Sequence, residues 1–452
     1  MDDDADRRRG RAIPSGRLSR LGAFGRLAGG VAGGVVAEGA RRLAAGERPQ
    51  LSELILTPQN ARRVADRLSH LRGAAMKMGQ MISMDAGDML PPELATILAR
   101  LRDDAHAMPP AQLDKVLIRE WGKDWRRRFV RFQAHPIAAA SIGQVHRAET
   151  RDGRTLAIKV QFPGIEQSID ADVDNVATLL RVSGLFPAGL DLAPLLGEAK
   201  RQLHEEADYV REGAMLERYR ALIGDDARFV VPAAHADFST GTVLAMDFVA
   251  GVPVEQLADA DQATRDAVMT ALMDLVLSEL FDWGVMQTDP NFANYRWQLE
   301  TGRLVILDFG ATRAIEPATQ QAYRGLLNAG LAGDRKAARD AAVAAGFLGE
   351  AAVARHQAPI DRMIDVILRE MAGAGPFDFG DRAFVADLRT EGMGIAQDRS
   401  TWHLPPIDTL FVQRKISGTA LLAARLKARV DVRAMVAARL AEQPAGQNAV
   451  SE

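Results

Sequence analysis

A lysine in the run Thr155–Val160 (TLAIKV), an aspartate and an asparagine in Gln287–Asn294 (QTDPNFAN), and an Asp-Phe-Gly closing Arg303–Gly310 (RLVILDFG) are residue types that could manage a nucleoside triphosphate. Lys159 can pair with phosphate oxygens. Asp289 can accept the proton of a hydroxyl or a water. Asn294 and Asp308 offer the oxygen ligands that magnesium takes. The order is a lysine on an early strand, an aspartate followed after four intervening residues by an asparagine, and then Asp308-Phe309-Gly310. That order is the one phosphoryl-transfer chemistry uses. Each piece alone would be an ordinary strand lysine or polar loop. Together they make phosphoryl transfer or ATP hydrolysis the leading reading.

These residues need supporting parts. A lysine within an apolar strand needs a partner, because an unpaired buried ammonium is costly. Glu205, Glu206, Asp208 and Glu212 are candidates. On one continuous helix Glu205, Asp208 and Glu212 share a face, and Glu206 lies about 100° away. The place of a phosphate-cradling glycine loop holds Ala138-Ala139-Ala140-Ser141-Ile142-Gly143. Alanine forbids some backbone conformations that glycine allows, so this loop donates N–H groups with stiffer geometry. A second Asp-Phe-Gly, Asp378-Phe379-Gly380, follows Gly373-Ala374-Gly375-Pro376 rather than a strand and reads as a surface turn.

Composition narrows the alternatives. A chain of 452 residues should divide into roughly two to four domains or lobes. Apolar content of 47% and charged content of 25% are those of a soluble globular protein. A net charge of -3 argues against a general polyanion binder, so no nucleic-acid partner is expected. With no cysteine, disulfides, thiol catalysis and thiolate metal sites are excluded. The eight histidines include no His-x-x-x-His pair, which argues against a zinc hydrolase. The start, MDDDADRRRGR, lacks a signal-peptide apolar core. The apolar run Leu27–Ala37 has eleven residues, where a spanning helix needs about 20. No transmembrane helix is expected, which implies a cytoplasmic protein or one held peripherally at a membrane.

Residues 1–50 form a basic Gly/Ala-rich tail, read either as a segment touching anionic lipid or as a disordered or weakly helical tail. Residues 51–127 form a helical extension, with an apolar stripe through Val64, Leu68, Leu71, Ala75, Met78 and Ile82. Lys77 and Gln80 lie on another face of that helix, and Pro91-Pro92 stops it before a short helix at Glu93–Arg102. Residues 128–250 read as strand, turn at Asp152-Gly153, strand, then helices from about Gly164 to Leu222 interrupted near Pro187, then strands near Val230 and at Val243–Val249. Residues 251–452 read as mostly helical, including Arg265–Phe281, Ala318–Ala332 and Arg335–Ala345. Only Tyr295–Leu299 and Leu304–Leu307 read as strands there. The fold class is therefore α+β, a kinase-like bilobal fold with a small sheet-containing N-lobe, a mostly helical C-lobe and a nucleotide in the cleft.

The chain resembles the UbiB-like (ADCK/AarF) family of atypical protein-kinase-like proteins from about Arg17 to Arg429. The resemblance rests on Lys77-Met78-Gly79-Gln80, the alanine-rich PIAAASIGQVHRA (Pro136–Ala148), AIKVQFPG (Ala157–Gly164), and Glu206-Ala207-Asp208 with Glu212 six residues after Glu206. It implies an N-terminal helical extension over the site where a peptide substrate would bind, with Lys77 and Gln80 facing Glu206 and Asp208 in the active site. It implies binding of ATP/ADP and Mg2+, and slow, membrane-responsive ATP hydrolysis rather than protein phosphorylation in trans. Its implied role is support of isoprenoid-quinone (ubiquinone) biosynthesis or lipid homeostasis, with quinone-biosynthesis enzymes and an anionic membrane surface as partners. Ala138, Ala139, Ala140, Ser141 and Lys159 carry over to the nucleotide, Asn294 and Asp308 to the metal, and Glu212 or Glu206 to the lysine. The family's usual loop, His-x-Asp-Pro-His-x-Gly-Asn, here reads Gln287-Thr288-Asp289-Pro290-Asn291-Phe292-Ala293-Asn294. Both histidines and the glycine are replaced. This leaves a nucleotide-binding pseudokinase scaffold, or a lipid or small-molecule kinase with Asp289 as base, as alternatives.

Overall fold

The computed structural model describes residues 107–182, 193–373, 375–401, 403 and 405–441. The basic tail, the helix expected to carry Lys77 and Gln80, the Glu93–Arg102 helix and the break near Pro187 lie outside them. The chain divides into two compact units. The first takes residues up to Glu217 together with Pro232–Phe248, and the second takes Arg218–Val231 and Val249 onward.

In the first unit, α1 (Pro110–Trp121) starts with proline at its first position, where the missing N–H costs nothing, and ends at Gly122 with φ 85°. The sheet is built from β1 (Phe129–Phe132), β2 (Ala138–Ala139), β3 (Gly143–Thr150) and β4 (Thr155–Gln161). Helices α2 (Ile169–Val182), α3 (Ala193–Ala207) and α4 (Tyr209–Ile223) follow; the unit boundary falls within α4. The chain then runs through β5 (Phe229–Val230), which belongs to the second unit, and returns as β6 (Val243–Asp247). The strand order is β1-β3-β4-β6, with β2 paired to β3. The predicted strand–turn–strand is the antiparallel β3/β4 hairpin, with Gly143 opposite Gln161 and Glu149 opposite Thr155. Its turn holds Gly153 at φ 88°, where a side chain would be strained. Central β4 is buried on both faces: Leu156, Ile158 and Val160 are fully enclosed, and Lys159 and Gln161 on the alternate face are nearly so.

One expectation fails here. Glu205 to Glu212 do not share one helix. The Asp208 carboxylate accepts the Val210 and Arg211 N–H groups at 3.1 and 3.0 Å, which caps α4 and ends α3 at Ala207. The face shared by Glu205, Asp208 and Glu212 therefore does not exist, because local side-chain capping outcompetes helix continuation.

Buried His146 on β3 contributes a pH response. Its Nδ1 lies 2.8 Å from the Gln133 carbonyl and its Nε2 lies 2.8 Å from the Gln144 amide nitrogen. A neutral ring donating to the carbonyl and accepting from the amide fits this geometry; an imidazolium would confront one donor with another. Burial drives its pKa down to about 4, against the Gln133 carbonyl and with a small push from His135. The unfolded chain takes up this proton near pH 6.5 and the folded chain only near 4. Stability is thus whole above pH 6.5 and falls as pH drops through that window, by about 1.4 kcal/mol per pH unit. In urea unfolding, His146→Gln should lose about 2–3 kcal/mol less than wild type between pH 6.5 and 4.5. Equal losses would refute the assignment.

The second unit opens with the end of α4, then β5 and β7 (Val252–Pro253). Helix α5 (Gln262–Ser278) is capped by Asp261, which accepts the Thr264 N–H. It runs into a π turn, Glu279–Trp283, that stops at Gly284 with φ 59°. Then come β8 (Val285–Gln287), β9 (Tyr295–Gln298), β10 (Arg303–Ile306) and β11 (Thr312–Ala314). Helices α6 (Pro317–Ala332), α7 (Arg335–Ala344) and α8 (Glu350–Ala372) follow. After them come β12 (Phe377–Asp378), α9 (Ala383–Gln397), α10 (Ile407–Leu426), β13 (Arg429–Val430) and α11 (Val432–Ala441). The strands pair as β5-β10-β9-β7, β8-β11 and β12-β13. Leu280, Phe281, Met286, Tyr323 and Val412 lie in its core.

Helices expected at Arg265–Phe281, Ala318–Ala332 and Arg335–Ala345, and strands at Tyr295–Leu299 and Leu304–Leu307, are present within a few residues. The reading of those two as the only strands is corrected. Strands of two or three residues such as β7, β8 and β13 are too short to show a period, and β8 is buried at every position. The second Asp-Phe-Gly begins within a two-residue strand, β12, whose last residue is Asp378, and Phe379 and Gly380 form the turn after it.

Candidate active site

The first unit holds one group of the expected residues. Lys159 donates from Nζ to both carboxylate oxygens of Glu212, at 2.6 and 2.9 Å. Both residues are buried, at 6% and 1% exposure, so the pair sits where charges attract strongly and tolerate no vacancy. The Tyr209 ring lies 5.2 Å from the same ammonium. Of the two carboxylates left open by the sequence, Glu212 takes the lysine. Glu206 instead accepts the Ser141 hydroxyl at 3.2 Å and the Gln202 amide at 3.4 Å. That contact ties the alanine-rich loop to the end of α3.

The loop itself is a tight hairpin. Ala138 and Ala139 pair with Val145 and Gln144, and the Ala140 N–H donates to the Gly143 carbonyl. Ala138 and Ala139 are exposed. Gly143 is required by close approach: a Cβ there would meet the Val160 carbonyl oxygen at 2.5 Å and the Tyr209 hydroxyl at 2.8 Å.

The second unit holds the other group. β8 delivers the chain into the Asp289 loop, and β11 leaves from Asp308-Phe309-Gly310. Thr312 stands opposite Gln287, and the Thr288 N–H and hydroxyl both donate to the Ala311 carbonyl. The Leu307 N–H donates to the Asn294 carbonyl at 3.0 Å, so Asn294 and Asp308 are brought together by backbone pairing. Phe309 is fully buried, with its ring 4.9 Å from that of Tyr219. Asp308 accepts the Gly310 N–H at 3.0 Å. Asp378 makes the same local bond to Gly380 at 2.8 Å, but its other oxygen accepts from Arg429. The two tripeptides thus share one local side-chain bond, and their surroundings differ. Asn291, at the second replaced histidine, accepts the Ala293 N–H and starts the short turn Phe292–Asn294.

Beneath this loop lies a polar cluster that the sequence reading did not single out. Lys415 on α10 is fully buried and donates to the Gln287 side-chain oxygen at 2.9 Å and the Tyr295 hydroxyl at 2.8 Å. Its ammonium is 3.3 Å from Glu279 Oε2. Burial works against its charge, but the Glu279 carboxylate and the Tyr295 hydroxyl hold it above the ordinary lysine range. Tyr219 donates to Glu279 Oε1 at 2.9 Å. The neighbouring Arg414 lies 3.6 Å from Asp289 Oδ1, with its side chain 1% exposed. The available signal was a cation pair on the face of α10 that also carries Phe411, Val412 and Leu422, where period 3.6 predicts apolar residues only.

Among the described residues, no group of three or more His, Cys, Asp or Glu converges as a metal cage. Magnesium held jointly with phosphates and water needs only one or two protein oxygens, which Asn294 and Asp308 are chemically able to supply. The Asn294 amide nitrogen points to the Asp289 carbonyl at 3.4 Å, which leaves its oxygen on the other side of the planar amide. The donor set fits magnesium.

This architecture, with a lysine–glutamate pair in one unit and an Asp-x-x-x-x-Asn loop beside Asp-Phe-Gly in the other, is that of an atypical kinase-like protein with an α+β fold. The chain belongs to the ABC1 atypical kinase family, the UbiB-like (ADCK/AarF) group that its motifs resemble: the ABC1 atypical kinase-like domain matches residues 100–342. It is 36% identical over 421 residues to the atypical kinase COQ8, mitochondrial, of Saccharomyces cerevisiae, covering 93% of this chain and 84% of that protein. It is also 36% identical to the atypical kinase COQ8B, mitochondrial, of Rattus norvegicus, covering 95% and 81%. Among solved structures, the complex of Rv3197 with erythromycin from Mycobacterium tuberculosis is similar, with TM-score 0.57 and 25% identity over 81% of this chain and 92% of that one. No helix among the described residues is long and apolar enough to cross a membrane.

Proposed function

We propose that the chain binds ATP with magnesium and hydrolyses it slowly in support of isoprenoid-quinone biosynthesis or lipid homeostasis, at an anionic membrane surface and beside quinone-biosynthesis enzymes. The observation that carries this reading is the buried Lys159–Glu212 pair. Family membership supports the reaction class. Lys159, oriented by Glu212, meets the nucleotide phosphates, and Ala138, Ala139, Ala140 and Ser141 cover them, with Glu206 fixing Ser141. Asn294 and Asp308 hold magnesium, which when bound neutralises charge on the phosphate oxygens. Asp289 accepts a proton from the water that attacks the terminal phosphorus, as the bond to ADP breaks. Lys77 and Gln80 lie outside the described residues; the family resemblance supports placing them over this site. The stiff alanine hairpin, tied to Glu206, favours slow hydrolysis over phosphorylation of proteins in trans.

The second reading is a nucleotide-binding scaffold without turnover. The loss of both loop histidines favours it. A lipid or small-molecule kinase using Asp289 is the third. Phosphate release from magnesium-ATP, with and without anionic liposomes, separates them. Wild type should release phosphate, faster with liposomes, and Asp308→Asn should lose about a hundredfold, as expected when several kcal/mol of charge stabilisation goes. Binding without release would favour the scaffold. Transfer of terminal-phosphate label to extracted lipid would favour the kinase.

A further inference from the structure

Gln287 connects three elements of the second unit. Its backbone N–H donates to Glu279 Oε1 at 3.1 Å. Its side-chain nitrogen donates to the Asp289 carbonyl at 2.9 Å. Its side-chain oxygen accepts from Lys415 at 2.9 Å and from the Tyr295 hydroxyl at 3.0 Å. The same Asp289 carbonyl receives the Asn294 amide nitrogen. We infer that this cluster is the positioning device of the loop: Glu279 holds Lys415, Lys415 fixes which way the Gln287 amide points, and Gln287 thereby sets the Asp289 carbonyl on which Asn294 is oriented.

The physical basis is hydrogen-bond polarity. An ammonium donates and never accepts. With Lys415 against it, the Gln287 side chain can present only its oxygen on that side, so its nitrogen must face Asp289. The carbonyl of Asp289 then has two donors, and the Asn294 amide cannot flip without placing oxygen against oxygen. A helix 128 residues away in sequence, beyond the residues matched by the ABC1 domain, thus governs the oxygen proposed as a magnesium ligand. Neutral histidine also has one donor and one acceptor. Glutamine at position 287 therefore preserves this polarity.

The inference rests on Asn294 acting toward magnesium, so its test has two arms. The first is the magnesium concentration giving half the thermal shift with ADP. The second is hydrogen exchange across Thr288–Asn294 in the nucleotide-free protein. Gln287→Glu keeps an acceptor for Lys415 but removes the donor to Asp289; Gln287→Met removes both without adding charge; Gln287→His restores both. The Glu and Met variants should need about tenfold more magnesium, the scale of losing a ligand-orienting contact, and should exchange faster across the loop. The His variant should stay close to wild type in both. An unchanged magnesium midpoint in folded Gln287→Met, or equal impairment of the His and Met variants, overturns the inference. If wild type gives no ADP shift, the nucleotide reading fails by itself, and exchange still decides the positioning claim: faster loop exchange in Met but not in His upholds it, and unchanged exchange overturns it.

Discussion

Lys415→Met is expected to destabilise the second unit by about 3–5 kcal/mol, the range for removing one member of a buried ion pair. Glu279 is fully enclosed, and the Tyr219 hydroxyl and Gln287 N–H that remain to it are neutral donors. Neither neutralises a carboxylate in a low-dielectric interior. A second change, Glu279→Gln, removes the stranded charge and should recover at least half of the loss. Urea unfolding of wild type, single and double variants measures this. A single variant as stable as wild type would mean that the pair is not closed in solution. A double variant no better than the single would mean that the damage is packing and not charge.

The second large effect is at the other buried pair. Lys159→Met removes the ammonium that both Glu212 oxygens accept from, at a carboxylate 1% exposed, and should also cost about 3–5 kcal/mol. Lys159→Met/Glu212→Leu replaces both charges with apolar groups of similar volume and should regain most of that stability, because well-packed hydrophobic replacements of buried pairs are often neutral. The restored fold should still bind ADP at least tenfold more weakly than wild type, the loss expected when about 1.4 kcal/mol or more of phosphate contact disappears. Stability and binding thus separate in one pair of variants. A restored protein with wild-type ADP affinity would remove Lys159 from the proposed nucleotide site.

Much of this was legible in sequence, for identifiable reasons. The β3/β4 hairpin announces itself through alternation and Asp152-Gly153, and α5 to α7 through long helical periods. The proposed chemistry was read from the order of Lys159, Asp289, Asn294 and Asp308, since Lys159 falls within an apolar strand pattern and Asp308 directly follows one. What was hidden had short or non-local causes. The break at Asp208 depends on a side chain capping the next helix, which a helical wheel cannot show. The choice of Glu212 over Glu206 follows from that break. Gln287 looked like a loss because its worth lies in a partner on α10, and hydrogen-bond polarity between distant segments leaves no periodic trace. Lys77 and Gln80 rest on motif resemblance.

Calorimetric titration of ADP into wild type and Asp308→Asn, each with and without magnesium, is the most direct test. The wild type should bind ADP more tightly when magnesium is present, and Asp308→Asn should lose that gain while keeping magnesium-free binding. Absence of ADP binding to the wild type in both conditions, or an undiminished magnesium effect in Asp308→Asn, would contradict the assignment of this chain as a magnesium-nucleotide protein built on Lys159, Asn294 and Asp308.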